Sequence, residues 1–300
     1  MTEKFSFIAS PPRFVPPPGS CDSHIHVFGP AKNYPHVEGR TYTPPDALPE
    51  DAMTMLRTLG MERVVLVQPS IYGTDNSRML DAMATFGEMA RGVAVVADDV
   101  GKMELERLHA AGVRGLRLNV ESVRAGEIEE LTRRMSLLAR SIRDLNWHLE
   151  LHVGPHLLEA LVPVVERLPV DVVFDHMAKI PADDVVGHPG LAAVKRMLGT
   201  GRCWVKLSGA YRVSRKGGKY TEVAQLARSL VETNPDRMVW GSDWPHTPPH
   251  GHEPVLEGEI TPFRKLDTGR LLDLLMDWVP DERVRKHILV DNPARLYDFD

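Results

Sequence analysis

Eight short β-rich runs, separated by segments with helical periodicity, constrain the fold of this chain more than any other feature. The runs occupy Ser20–Val27, Arg63–Ser70, Gly92–Ala97, Gly115–Val120, Trp147–Val153, Val170–Met177, Cys203–Ser208 and Met238–Asp243. The helical segments between them include Asp75–Ala90, Met103–Ala111, Glu127–Leu145, His156–Leu168 and Thr221–Thr233. Eight strands that alternate with helices are typical of a single (β/α)8 TIM barrel, an α/β fold of about 250 residues.

An open, doubly wound sheet is the competing fold. It normally has fewer strands, and its dinucleotide-binding form carries GxGxxG after the first strand. Here the first run ends in Cys-Asp-Ser-His-Ile-His, which contains no glycine cradle. We therefore predict one barrel domain over residues 20–300, preceded by an extended, proline-rich N-terminal arm over residues 1–19.

Composition and charge narrow the range of partners. The net charge is −5 and no Lys/Arg run occurs, so we expect no nucleic-acid partner. No apolar run approaches the ~20 residues of a membrane helix, and the N-terminus lacks the apolar core of a signal peptide. The two cysteines, Cys21 and Cys203, form no CxxC pair. These features predict a cytoplasmic protein without a membrane partner, and they leave the oligomeric state open.

Histidine and aspartate side chains follow the predicted strands at their C-terminal ends, where the active sites of β/α barrels lie. Residues i and i+2 of a strand face the same side, so the first pair of histidines points towards the barrel axis. Four imidazoles and a carboxylate collect at one mouth, with a second aspartate beside them. These residues are His24, His26, His152, Asp175, His176 and Asp243.

These residues lie in motifs that resemble the amidohydrolase superfamily. The motifs are CDSHIHVFGP, VQPSIYGTDN, FDHMAK, WGSDWPH and DNPARLYDF, and they run from Cys21 to Tyr297. Within the superfamily they are most similar to the 2-pyrone-4,6-dicarboxylate hydrolases and the muconolactone-type hydrolases. The resemblance implies a barrel hydrolase that opens a small carboxylated or sulfonated lactone in the catabolism of aromatic compounds. It places His24, His26 and His176 with Asp243 at the reaction centre.

The resemblance also implies a metal site. Single-metal members of the superfamily use the first-strand HxH, a fifth-strand histidine and the eighth-strand aspartate as ligands. His24, His26, His152 and Asp243 occupy these places, and three imidazoles with a carboxylate suit one Zn²⁺. The 2-pyrone branch can have a tyrosine at the end of the fifth strand, and the resemblance to this branch implies catalysis without metal, so metal-free catalysis stays open.

Cationic side chains near the mouth are candidates for anion binding. The resemblance implies that Arg117 and Arg212 hold substrate carboxylates, which a planar guanidinium matches in bidentate fashion. A further arginine of the branch falls nearest Val123, with Arg124 one position away. Lys206 lies within the seventh run, where an inward lysine needs either a buried ion-pair partner or a substrate contact.

Several loop residues complete the predicted substrate site. Tyr42 matches a loop of the branch that contacts substrate, and the Ser70 hydroxyl lies near the end of the second run. The tract around His246, His250 and His252 is rich in histidine, but we expect only His246, close to the eighth strand, to reach the site.

The predicted chemistry is lactone hydrolysis. Asp243 would act as general base towards water, and His176 would orient that water or polarise the carbonyl. His24 and His26, with or without a metal, would stabilise the oxyanion. The alternatives on the same barrel are a metal-dependent decarboxylase, a sugar-acid lactone isomerase and a non-enzymatic binding barrel. Substrate trials separate the first two from a hydrolase, and the third would leave the acid–base residues without a role.

Overall fold

The computed structural model describes residues 7–120, 127–248, 255 and 259–300. One sheet of eight parallel strands follows the chain order, so the predicted barrel is confirmed. The strands are β1 (Cys21–Ile25), β2 (Arg63–Val67), β3 (Ala90–Ala94), β4 (Val113–Val120), β5 (His148–Val153), β6 (Val172–Phe174), β7 (Cys203–Leu207) and β8 (Met238–Trp240).

Six strands lie within the predicted runs, whereas β3 and β4 begin two residues earlier than predicted. The prediction placed both starts at a glycine, a residue that usually weakens a strand. In β4 the glycine is required inside the strand, because a Cβ on Gly115 would lie 2.6 Å from the His148 ring. Close packing across the sheet therefore decides the start of this strand.

Helices follow the strands and cover the outside of the barrel. They are α1 (Pro49–Leu59), α2 (Ser77–Phe86), α3 (Lys102–Ala110), α4 (Ile128–Ile142), α5 (Leu158–Val165), α6 (Pro189–Gly199), α7 (Ala210–Val213), α8 (Val223–Thr233), α9 (Thr268–Trp278), α10 (Glu282–Lys286) and α11 (Asn292–Tyr297). The five predicted helices correspond to α2, α3, α4, α5 and α8. Four are shorter than predicted, since turns of 3₁₀ helix or loop occupy several of their ends, and α3 has the predicted length but begins one residue earlier. No described helix is both long enough and apolar enough to cross a membrane.

The two faces of the sheet carry different chemistry. One face packs against the helices in a large apolar core. The lower part of the other face forms a small apolar cluster closed by the C-terminal residues Leu296, Tyr297 and Phe299. Its remaining members are Cys21, Val65, Val67, Val93, Val173, Trp204 and Val239.

Polar residues replace apolar ones on the inner face closer to the mouth of the barrel. Because side chains alternate along a strand, Asp175 shares a face with Val173, and Lys206 shares a face with Trp204. Both polar residues are buried. The inner face thus changes from apolar to charged on the way to the mouth.

The N-terminal residues lie against the start of α9. Ile8 forms a parallel bridge with Asp267, and the backbone N–H and hydroxyl of Ser10 donate to the Asp267 carboxylate at 2.9 and 2.6 Å. Arg13 pairs with Asp273 on the same helix. These contacts hold residues 8–13 against the barrel.

Contacts just beyond β8 connect it to β1. The Asp243 N–H donates to the His24 carbonyl at 2.9 Å, and the His26 N–H donates to the Trp244 carbonyl at 2.8 Å. Between these segments, a Cβ on Gly241 would lie 2.6 Å from His24 Cβ and 3.0 Å from its backbone nitrogen. The absence of a side chain at Gly241 therefore lets the two segments approach.

We expect Gly241→Ala to lower both the melting temperature and the activity, because the added methyl must push β1 and its histidines away from β8. The cost should resemble overpacking of a core, about 1–3 kcal/mol. Gly199→Ala is the matched control, since a Cβ there meets nothing within 4 Å. Thermal unfolding of both variants checks the prediction, which fails if Gly241→Ala is as stable as Gly199→Ala.

Candidate active site

His24 and His26 lie side by side at the end of β1, as their spacing predicts. Their Nε2 atoms are 3.2 Å apart, and both side chains are buried. His26 Nδ1 lies 2.7 Å from the Val67 carbonyl oxygen on β2. Each ring is therefore fixed on its far side by the barrel wall and presents Nε2 to the mouth.

Asp243 presents its two oxygens to different partners. Oδ2 accepts hydrogen bonds from the Tyr211 hydroxyl at 2.6 Å and from Arg212 Nε. Oδ1 has no hydrogen-bond partner among the described residues and lies 3.7 and 3.6 Å from the Nε2 atoms of His24 and His26. Burial alone would raise the pKa of Asp243, but Arg212 and the neighbouring histidines lower it well below its usual value. Asp243 is thus an ionised carboxylate with one oxygen facing the histidine pair.

His176 is positioned by an unusual backbone turn after β6. Residues 176–179 all have φ between 49° and 54°, a left-handed conformation that costs non-glycine residues about 1–2 kcal/mol each. His176 Nδ1 lies 2.8 Å from Ser208 Oγ, and its Nε2 lies 3.9 Å from Asp243 Oδ2. The turn therefore lowers the stability of the protein but directs His176 towards the carboxylate, and strained backbone at active sites commonly has this role.

His152 lies at the end of β5, and its ring is next to that of His176. The two rings are 5.2 Å apart between centroids, and His152 Nδ1 is 3.8 Å from Asp175 Oδ2. Burial, with the charge of Arg117, lowers the pKa of His152 to about 3, so its imidazole is neutral.

Two groups of described residues offer ligand atoms that all lie within 4.8 Å of one another. One is His24, His26 and Asp243, and the other is His24, Asp175 and His176. In the first group the separations of 3.2, 3.7 and 3.6 Å are close to the roughly 3.4 Å between ligands of a tetrahedral zinc with bonds of about 2.1 Å. This donor set fits a zinc ion. His152 belongs to neither group, so its role as fourth ligand stays a prediction.

Asp175 organises a buried charged layer beneath the histidines. It accepts from Arg117 Nη2 at 2.9 Å and lies 3.3 Å from His24 Nδ1 through its other oxygen. Lys206 forms a buried ion pair with Glu150, one of the two environments expected for an inward lysine. Burial raises the pKa of Glu150 to about 7, and the charge of Asp175 adds to this effect.

Both predicted anion anchors already contact protein carboxylates. Arg117 is buried, bonds Asp175 and donates from Nη1 to the Gln68 carbonyl at 3.3 Å. Arg212 binds Asp243 through Nε and the Thr247 hydroxyl through Nη2 at 2.7 Å. A substrate anion would therefore share these guanidiniums with carboxylates of the site.

Tyr42, Ser70 and His246 border the same region. Burial raises the pKa of Tyr42 to about 12, and a hydrogen bond with the Ser70 side chain partly offsets the effect, so the phenol keeps its proton. His246 Nδ1 lies 3.4 Å from the Tyr211 hydroxyl, and its Nε2 lies 3.0 Å from Thr268 Oγ1. The His246 N–H also donates to the Asp243 carbonyl at 2.8 Å, whereas the His246 ring approaches the Asp243 carboxylate through the Tyr211 hydroxyl.

Sequence reasoning gave no role to Tyr211, Ser208 or Glu150. The period of two along β5 could have identified Glu150, which stands between His148 and His152 on the inner face. No such signal marks Tyr211, which lies on the four-residue helix α7. The predictions at Val123, Arg124, His250 and His252 fall outside the described residues.

A protein-family model described as "Amidohydrolase" matches residues 21–299. A relative from Hydrogenophaga intermedia, a 4-sulfomuconolactone hydrolase, is 36% identical over 96% of this chain and 91% of its own length. A 2-pyrone-4,6-dicarboxylate hydrolase from Comamonas testosteroni is 35% identical over 96% of this chain and 93% of its own.

A solved structure from Pseudomonas putida, described as a putative 2-pyrone-4,6-dicarboxylic acid hydrolase, has the same fold. It is 31% identical, and the alignment has a TM-score of 0.79 over 94% of this chain and 98% of the other. Both the sequence and the architecture therefore match one family over almost the whole chain.

We expect the metal-free protein to lose stability as the pH falls from 7 towards 4. Burial lowers the pKa of the six described histidines that are buried, which are His24, His26, His148, His152, His176 and His246. In this window the unfolded chain binds protons that the folded protein excludes, so stability rises with pH. Asp22 and Glu150, with pKa values raised to about 7, act in the opposite direction but are fewer.

Urea unfolding at pH 7, 6 and 5 measures how the free energy of unfolding changes with pH. Each proton that the unfolded chain binds and the folded protein does not contributes about 1.4 kcal/mol per pH unit to this slope. His148→Gln should flatten the slope, because it removes a buried imidazole whose pKa is lowered to about 3. Stability that is constant or higher at pH 5 would contradict the assignment of neutral buried histidines.

Proposed function

Because this chain belongs to the amidohydrolase family, we propose that it hydrolyses a small lactone that carries a carboxylate or sulfonate. The observation that carries the proposal is the free oxygen of Asp243. It faces the Nε2 atoms of His24 and His26, while two arginines border the same space. The two relatives of known name both act on small lactones with acidic substituents.

Opening a lactone requires a nucleophilic water, stabilisation of the oxyanion and a proton for the leaving oxygen. Asp243 Oδ1 accepts a proton from the water as its oxygen attacks the carbonyl carbon. The bond between that carbon and the ring oxygen then breaks, and the proton passes to the ring oxygen to give a hydroxy acid. His176, whose Nε2 lies 3.9 Å from Asp243 Oδ2, would orient the water.

The two guanidiniums bind the acidic substituent away from the reacting carbonyl. Arg212 is tied to the catalytic carboxylate, so an anion held by Arg212 lies close to Asp243. Arg117 stands on the opposite wall, where its Nη1 donates to the Gln68 carbonyl at 3.3 Å. Tyr42 and Ser70 supply hydroxyl groups at the rim for the lactone oxygens.

A single zinc ion would be held by His24, His26 and Asp243, with His152 as the proposed fourth ligand. When bound, zinc polarises a carbonyl oxygen and lowers the pKa of a water. His26 is already oriented for this role, because its Nδ1 is bonded to a backbone carbonyl and leaves Nε2 free to act as ligand.

A panel of carboxylated, sulfonated and neutral lactones tests the proposed function, with ring opening followed by titration of the acid released. We expect Arg212→Met to weaken transition-state binding of a charged lactone by about 2–4 kcal/mol. Both substrate classes lose the support of Asp243, so the ratio of their kcat/KM values isolates anion binding. Arg143→Met, which changes an exposed arginine, is the control. Equal losses for charged and neutral lactones would contradict the assignment.

We expect the purified protein to contain about one zinc per chain. His152→Gln should weaken zinc binding at least tenfold, since contacts outside the ligand set alone can change affinity by about 10- to 100-fold. His148→Gln is the matched control, because this histidine lies on the same face of β5 one turn of the pleat below Glu150. Elemental analysis and chelator competition measure both variants. Unchanged affinity in His152→Gln would remove it from the ligand set.

A further inference from the structure

A continuous series of hydrogen bonds assigns the proton positions on the histidine pair. It begins at the Val67 carbonyl, which can only accept, 2.7 Å from His26 Nδ1. His26 therefore carries its proton on Nδ1. Its Nε2 then has a lone pair and can only accept.

The neighbouring hydrogen bonds also fix the position of the proton on His24. Its Nε2 lies 3.2 Å from His26 Nε2, so a hydrogen bond between the rings requires the proton on His24 Nε2. His24 Nδ1 is then an acceptor. Lys206 Nζ, which can only donate as an ammonium group, lies 3.0 Å from that atom. The series ends on Glu150, whose carboxylate holds the ammonium group.

This arrangement opposes coordination of a metal by His24. Coordination through Nε2 requires a lone pair there, so the proton of His24 must move to Nδ1. Asp175 Oδ1, at 3.3 Å, can accept the displaced proton, and a histidine bonded to a carboxylate is the usual arrangement around a metal. No proton is gained or lost in this rearrangement. One proton changes its place on the ring, and a Lys206 N–H turns away from Nδ1.

We propose that Lys206, held by Glu150, is a positioning residue that keeps His24 in its Nε2–H form and so weakens metal binding. Asp175 has the opposite effect, because it stabilises the Nδ1–H form. In the form that Lys206 favours, the His24 Nε2–H donates to His26 Nε2, so His24 offers no lone pair there to a metal. The effect on metal affinity rests on the proposed zinc site, whereas the tautomer assignment does not.

The first test measures the tautomers in the metal-free wild-type protein. Histidine labelled with ¹⁵N in the ring, observed through two-bond ¹H–¹⁵N correlations, distinguishes Nδ1–H from Nε2–H. His24→Gln and His26→Gln assign the signals. We expect His24 as Nε2–H and His26 as Nδ1–H, so the second ring is an internal reference. An Nδ1–H signal from His24 would overturn the proposal, whatever the activity or metal content of the enzyme.

The second test removes the positioning pair. Lys206→Met alone would remove the nearest cation from the buried Glu150 carboxylate, so the variant is Lys206→Met combined with Glu150→Gln. We expect His24 in this variant to become Nδ1–H and zinc affinity, measured by competition with a chromophoric chelator, to rise about tenfold. Lys102→Met, at an exposed helix position, should change neither value.

Equal or weaker zinc binding in a folded double variant would overturn the role of Lys206. If the double variant does not fold, the wild-type spectrum still decides the tautomer. If neither protein binds zinc, the metal site of the proposed function fails, while the spectrum separately tests the hydrogen-bond series.

Discussion

Asp175 supports the site from within the barrel, because three cationic or imidazole groups from different strands depend on it. It pairs with Arg117 from β4, lies 3.6 Å from Lys206 of β7 and faces His24 of β1. Desolvating such charges is costly, and each must keep its partner to remain buried. The partners meet only if β1, β4, β6 and β7 enclose a common space. The charged layer therefore links the closure of the barrel to the orientation of the first histidine.

At the mouth, the Asp243 carboxylate is likewise held by partners from another segment of the barrel. Tyr211 and Arg212 hold one of its oxygens, while the other faces the histidine pair. In the proposed reaction this division separates two tasks, since one oxygen keeps the carboxylate ionised and oriented while the other receives the proton from water. Because Arg212 also serves as the proposed anion anchor, binding of a charged substrate and the state of the base are coupled through one guanidinium.

Much of the fold was predictable from the sequence, because periodicity and strand count depend on local residue patterns. The residues at the strand ends followed from the rule that β/α barrels collect functional groups at one mouth. The start of β4 was not predictable, since Gly115 is required by the ring of His148, which is distant in sequence.

The site was only partly predictable for a similar reason. Spacing along β1 placed His24 beside His26, but no pattern reveals that His152 stands nearer Asp175 than the ligand group. The left-handed turn at His176 contains no glycine that would have marked it. The pairing of both arginines with protein carboxylates depends on distances across the barrel, which the sequence does not encode locally.

Hydrolysis is the central claim, and the source of the oxygen in the product tests it most directly. The enzyme is incubated with a carboxylated lactone in H₂¹⁸O, and the product is analysed by mass spectrometry. Attack by water on the lactone carbonyl predicts one ¹⁸O atom in the new carboxylate and none in the released hydroxyl group. A rearranged lactone without ¹⁸O would indicate attack by a substrate hydroxyl, and loss of CO₂ with the ring intact would indicate decarboxylation. Either result would contradict the account.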